Sequence, residues 1–92
     1  MPALRCTRVG PGLRDSERTV ELKDIHGQRE FLRVPFGYLV PARETFYLPV
    51  GLVQEEPTGQ FALIELPQEG EYGSSRLWVR KTDLLPPKGN SE

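Results

Sequence analysis

Two stretches of the chain read Arg, any residue, aromatic, aliphatic, Arg: Arg29-Glu30-Phe31-Leu32-Arg33 and Arg76-Leu77-Trp78-Val79-Arg80. In a β-strand the first, third and fifth positions share a face, so each stretch would hold a ring between two guanidiniums, away from the core. Guanidiniums stack on aromatic rings and grip carboxylate or phosphate with paired hydrogen bonds, and an exposed ring accepts a base or an apolar side chain. Arg29, Phe31, Arg33, Arg76, Trp78 and Arg80 are therefore the candidate partner-binding residues, and they form one patch if the two strands are neighbours. The competing assignment covers both rings with a terminus or a loop and packs the arginine stems beside them.

Other residue types promise less. A nucleophilic triad needs a base and an orienting group beside a Ser or Cys, and the only histidine, His26, falls near Asp24 in an expected turn, where it reads as a solvated polar residue. One Cys and one His do not supply the three or four ligands of a zinc site. Glu55, Glu56, Glu65, Glu69 and Glu71 match no cation-binding loop and read as solubilising charges. No glycine pattern for a phosphate or dinucleotide is present. The expectation is no catalytic residues, no metal and no cofactor. Cys6 lies among Arg, Gly and Pro in a segment expected to be mobile, as an ordinary reduced thiol.

The elements that position these residues are short. Ninety-two residues fit one small domain. With 12 basic and 13 acidic residues the net charge is −1, which argues against a surface built wholly to trap a polyanion. No apolar run is long enough to cross a bilayer, and the start lacks the apolar stretch of a signal peptide, so a cytoplasmic protein is expected. Residues 1–17 read as a flexible N-terminal segment, 18–86 as the folded domain and 87–92 as a flexible polar tail. Inside the domain, alternation predicts strands over 19–24, 28–34, 46–53, 60–66 and 76–80, with no long helix. Asp24-Ile25-His26-Gly27 makes the first turn, Pro35 to Thr45 a loop with at most one helical turn, and Pro49 and Gly51 a bend, bulge or unpaired edge. Phe46, Leu48, Val50 and Leu52 share one strand face. The expected core is Val20, Leu22, Leu32, Val34, Leu48, Val50, Ile64, Leu66, Leu77 and Val79, with 60–66 the central strand.

Five short strands ending in Trp78-Val79-Arg80-Lys81-Thr82-Asp83-Leu84-Leu85 resemble a small Src-homology-three-type barrel, in which a late strand passes through one tight helical turn into a final short apolar strand. Val20 to Val34, with its Asp-x-x-Gly turn, is similar to the opening of PRC-barrel domains. The resemblance implies an all-β, five-stranded antiparallel barrel. It implies no peptide groove, because the Ala-Leu-Tyr-Asp-Tyr-like opening and the paired tryptophans of the eukaryotic family are missing.

Two classes of function follow. The first is a non-catalytic protein-interaction module of a small soluble protein of bacterial type, taking an acidic or extended partner at the Phe31 and Trp78 surface or at an open edge strand. The alternative is a nucleic-acid-binding barrel in which the same rings stack on bases and the arginines neutralise phosphates. Net charge and the acidic loops favour the first; neither needs a membrane.

Overall fold

The computed structural model describes residues 2–85. Its ten strands are β1 (Ala3–Arg5), β2 (Arg8–Pro11), β3 (Glu17–Lys23), β4 (Arg29–Pro35), β5 (Val40–Ala42), β6 (Thr45–Pro49), β7 (Gly51–Glu55), β8 (Phe61–Glu65), β9 (Arg76–Arg80) and β10 (Leu84–Leu85). Two 3₁₀ turns, Phe36–Tyr38 and Lys81–Asp83, complete the elements. The described chain is all-β, and none of its helical turns is long and apolar enough to cross a membrane.

All strand pairs are antiparallel and fall into three sheets, ordered β10-β1-β6-β5, β2-β3-β4 and β7-β8-β9. The expected single five-stranded barrel is corrected here, because the ladders form no closed ring. Instead the chain bends out of one sheet into the next. β1 and β2 meet at Cys6-Thr7, where the Cys6 amide donates to the Phe46 carbonyl and the Thr7 amide to that of Glu21. β6 and β7 meet at Val50, so the expected strand 46–53 is split between two sheets. That bend explains why Leu52, expected to share an inward face with Leu48 and Val50, is 47% exposed. A register shift between Leu52 and Gln54 leaves Val53 as a bulge.

Alternation decides what each strand buries. On β4, Glu30, Leu32 and Val34 point inward while Arg29 and Arg33 are exposed; on β9, Leu77 and Val79 are buried between exposed Arg76 and Arg80. Every residue expected in the core is buried, and β8 is the central strand of its sheet. Burying a Leu or Ile contributes about 1.5–3 kcal/mol, so this shared core of Leu4, Leu22, Leu32, Leu48 and Ile64 holds the three sheets together.

The N-terminal stretch expected to be flexible is instead a structural strand. β1 lies between β6 and β10, with Ala3, Leu4 and Cys6 buried. Cys6 is thus a core residue, and burial pushes its thiol up to about 12, leaving it protonated and unreactive at neutral pH. The tail 87–92 lies outside the described residues.

Turn chemistry fixes the hairpins. Between β3 and β4 the Asp24 carboxylate accepts the amides of His26 (2.8 Å) and Gln28 (2.9 Å), while Gly27 takes a φ of 79°. Between β5 and β6 the two-residue turn is Arg43-Glu44, with φ of 51° and 67°. Both central residues are left-handed, as hairpins with primed turns require, but neither is the Asn or Gly that adopts this conformation readily.

Candidate functional site

The outer face of β4 carries Arg29, Phe31 and Arg33, and each has a neighbour. Glu21 on β3 stands directly opposite Phe31 and is only 8% exposed; its carboxylate lies 3.2 Å from Arg29 and 3.9 Å from Arg8. Arg33 pairs with Glu71 at 3.1 Å. Phe31 is half-buried, with the Tyr72 ring edge-on at 5.6 Å. Glu71 and Tyr72 belong to the β8–β9 loop, which runs along the outer edge of β4. The Glu71 amide donates to the Phe31 carbonyl (2.9 Å) and the Gln68 side chain to the Arg33 carbonyl (2.8 Å).

Glu30 ties that loop down. Its carboxylate, 1% exposed, accepts the amides of Phe31 (2.9 Å), Tyr72 (2.8 Å) and Ser74 (2.9 Å). Burial pushes this carboxyl up, but the Tyr72, Phe31 and Ser74 amides and the Ser74 hydroxyl together pull further down, so it stays charged below the usual carboxylate range. Gly70 passes so close that a Cβ there would overlap the Glu30 carboxyl. Of the two assignments open for Phe31, this is cover by a loop.

The outer face of β9 is a different surface. Arg76 lies opposite Glu65 and 3.7 Å from its carboxylate, half-buried Trp78 lies opposite Leu63, and Arg80 lies opposite Phe61 with no carboxylate partner among the described residues. Gln54 on β7 continues the row through Leu63 to Trp78. The Trp78 carbonyl accepts the Ile25 amide at 3.0 Å, a backbone link between this strand and the β3–β4 turn. β4 and β9 therefore belong to separate sheets, and strand pairing does not bring the two arginine-and-aromatic triplets into one patch.

His26 is exposed on its turn. Glu55 pairs with Lys81 at 3.0 Å, and Glu56 accepts the Gln60 amide at 3.1 Å. No group of three or more potential metal ligands occurs among the described residues.

Two further surfaces stand apart from the arginine-and-aromatic strands, the first foreshadowed by the unpaired edge expected near Pro49 and Gly51 and the second not. One is the outer edge of β7, the first strand of its sheet, with Leu52 and Val53 exposed at 47% and 38%. The other is an open groove of about 710 Å³ beside the tip of the β2–β3 hairpin. There Phe36 and Phe46 meet edge-on at 5.6 Å, and the Arg18 guanidinium lies 4.5 Å above the Phe36 ring. Its walls come from positions far apart in sequence, so no local period could reveal it. The legible signal for Glu30 was its inward phase with Leu32 and Val34, which puts a carboxylate in the core.

Comparison with known proteins finds no matching family model, no matching curated protein and no matching solved structure.

Proposed function

We propose that this chain is a non-catalytic protein-interaction module that takes up an extended partner segment at the β7 edge. The observation that carries this reading is that edge itself: β7 has β8 on one side, no strand on the other among the described residues, and two exposed aliphatic side chains. An added strand gains main-chain hydrogen bonds and packs alternate side chains against the receiving sheet. A partner side chain beside Gln54 would extend the Gln54–Leu63–Trp78 row, with Arg76 and Arg80 flanking it. Trp78, two strands in from that edge at about 4.8 Å per strand, supports the row from behind, while the exposed Leu52 and Val53 are the side chains at the edge itself.

The nucleic-acid reading draws less support, because Arg29, Arg33 and Arg76 already sit beside Glu21, Glu71 and Glu65. We also read the three sheets as an opened relative of the Src-homology-three barrel, since two bent strands each serve two sheets and a 3₁₀ turn leads into the closing strand β10. A cytoplasmic setting completes this reading, supported by the single buried free thiol. The test is affinity capture with the full chain from nuclease-treated and untreated lysates, against a Leu52→Lys, Val53→Lys double variant whose lysines block strand addition. The reading requires a protein partner that survives nuclease and is lost with the variant at unchanged thermal stability. Capture abolished by nuclease, or indifferent to the variant, would overturn it.

A further inference from the structure

The groove beside the β2–β3 tip is held in shape by the loop that walls it. The Phe36 amide donates to the Ser16 carbonyl (2.7 Å), the Glu17 amide to that of Arg14 (3.0 Å), and the Thr19 hydroxyl to that of Pro11 (3.0 Å). Gly12 runs so close to Glu17 that a Cβ would stand 2.7 Å from the Glu17 Cβ, so the loop follows a path that only glycine permits. Arg18 locks the base, donating to the carbonyls of Asp15 (2.8 Å) and Glu17 (2.7 Å).

Within this frame the floor is apolar. Phe36 is 42% exposed, Phe46 and Val9 are partly buried against the core, and Leu13, 78% exposed, also lines the groove. Six cations, Arg5, Arg14, Arg18, Lys23, Arg43 and Arg80, have no carboxylate within 4.0 Å among the described residues, and Arg14 and Arg18 are the two of them that line this rim. Arg8, Arg29, Arg33, Arg76 and Lys81 all have one. Arg18 spends hydrogen bonds on carbonyls, which leave its positive charge uncompensated. Asp15 lines the same groove, so two cations face one anion.

We propose that this groove is a second binding site, separate from the β7 edge, for an acidic peptide segment. The partner seats one aliphatic or aromatic side chain against Phe36, Phe46 and Leu13 and brings a neighbouring carboxylate to Arg14 and Arg18. Two guanidiniums beside one aspartate suit one or two carboxylates. They suit a phosphate chain poorly, since each further phosphate would meet Asp15 and a chain of net charge −1.

The probe is a random-sequence peptide library displayed on phage and selected on the full chain, with a single-stranded oligonucleotide as a second ligand. The amides shifted by each are then mapped by NMR. Selected peptides should carry Asp or Glu beside a large apolar residue and should shift Leu13, Phe36 and Phe46. Arg14→Glu should weaken them by about tenfold or more, and Leu13→Asp by a similar factor. Both residues are exposed, so these variants should keep the wild-type spectrum outside the groove. Leu52→Lys with Val53→Lys should leave this binding unchanged, which separates its failure from that of the β7 reading. The proposal is overturned if no peptide is selected, if selected peptides show no acidic enrichment or map elsewhere, or if the oligonucleotide occupies the groove more tightly than the peptides.

Discussion

Arg29, Arg33 and Arg76 on the outer faces of β4 and β9 each lie beside a glutamate, while Arg18 at the β2–β3 tip lies over Phe36 with, among the described residues, only carbonyls as hydrogen-bond partners. Both regions hold arginine next to an aromatic ring. On β4 both arginines are answered from within the chain, and on β9 Arg76 is answered while Arg80 is not, so most of that charge is structural. At the tip it is left over. An arginine-and-aromatic pattern therefore reports a binding surface only once its carboxylate neighbours are known.

The largest expected effect is common to both regions. Ile64→Ala should cost about 2–5 kcal/mol in denaturant unfolding, because all three sheets share that core, and a loss below about 1 kcal/mol would mean that they are not cooperatively joined. Glu30→Ala separates the regions. It leaves three part-buried amides without their acceptor and should cost about 1–3 kcal/mol, with faster hydrogen exchange at Tyr72 and Ser74 and unchanged exchange at Phe36. The pH dependence has a definite sign. The Glu30 carboxyl lies lower in the folded chain than its ordinary 4.5, so its stabilisation is full above that value and is lost as pH falls through the folded value. Wild-type unfolding curves should show an acid-side loss that Glu30→Gln lacks, and equal slopes would remove Glu30 as its source.

Smaller effects sharpen the comparison further. Arg43→Asn with Glu44→Gly places left-handed-tolerant residues in the β5–β6 turn and should stabilise by about 1 kcal/mol, read as a raised denaturant midpoint without altered binding at either surface. Glu65→Gln and Glu71→Gln free Arg76 and Arg33. They should change stability by no more than about 0.5 kcal/mol, because both pairs are half-exposed. If unanswered charge is what makes the groove competent, these variants should gain weak, salt-sensitive affinity for acidic peptides on β9 and β4.

The β3–β4 hairpin was readable from the chain alone because two signals agree there: period-two burial along both strands and an Asp24-to-Gly27 turn with the chemistry to close it. β1 was not, since three residues carry no period and their strand partners come from residues 45–49 and 84–85, far along the chain. β5 hid behind Pro41, tolerated because it lies on an edge, and behind Arg43-Glu44, which lacks the composition of the turn it makes. The outward faces of β4 and β9 were readable, but their sheet membership and their glutamate partners were not. Glu21 and Glu65 reach the arginines across strands, and Glu71 comes from a loop placed by a buried carboxylate.

The pairing of Ala3 with Leu85 has a consequence for synthesis. A ribosome delivers β1 first and β10 last, so the N-terminal strand emerges with Leu4 and Cys6 uncovered and keeps one flank bare until almost the whole described chain is out. The β3–β4 hairpin can close early, from local contacts, but the sheet containing β1 is among the last to be completed. During that interval the nascent chain offers an apolar strand to any holdase or neighbouring chain that reaches it first.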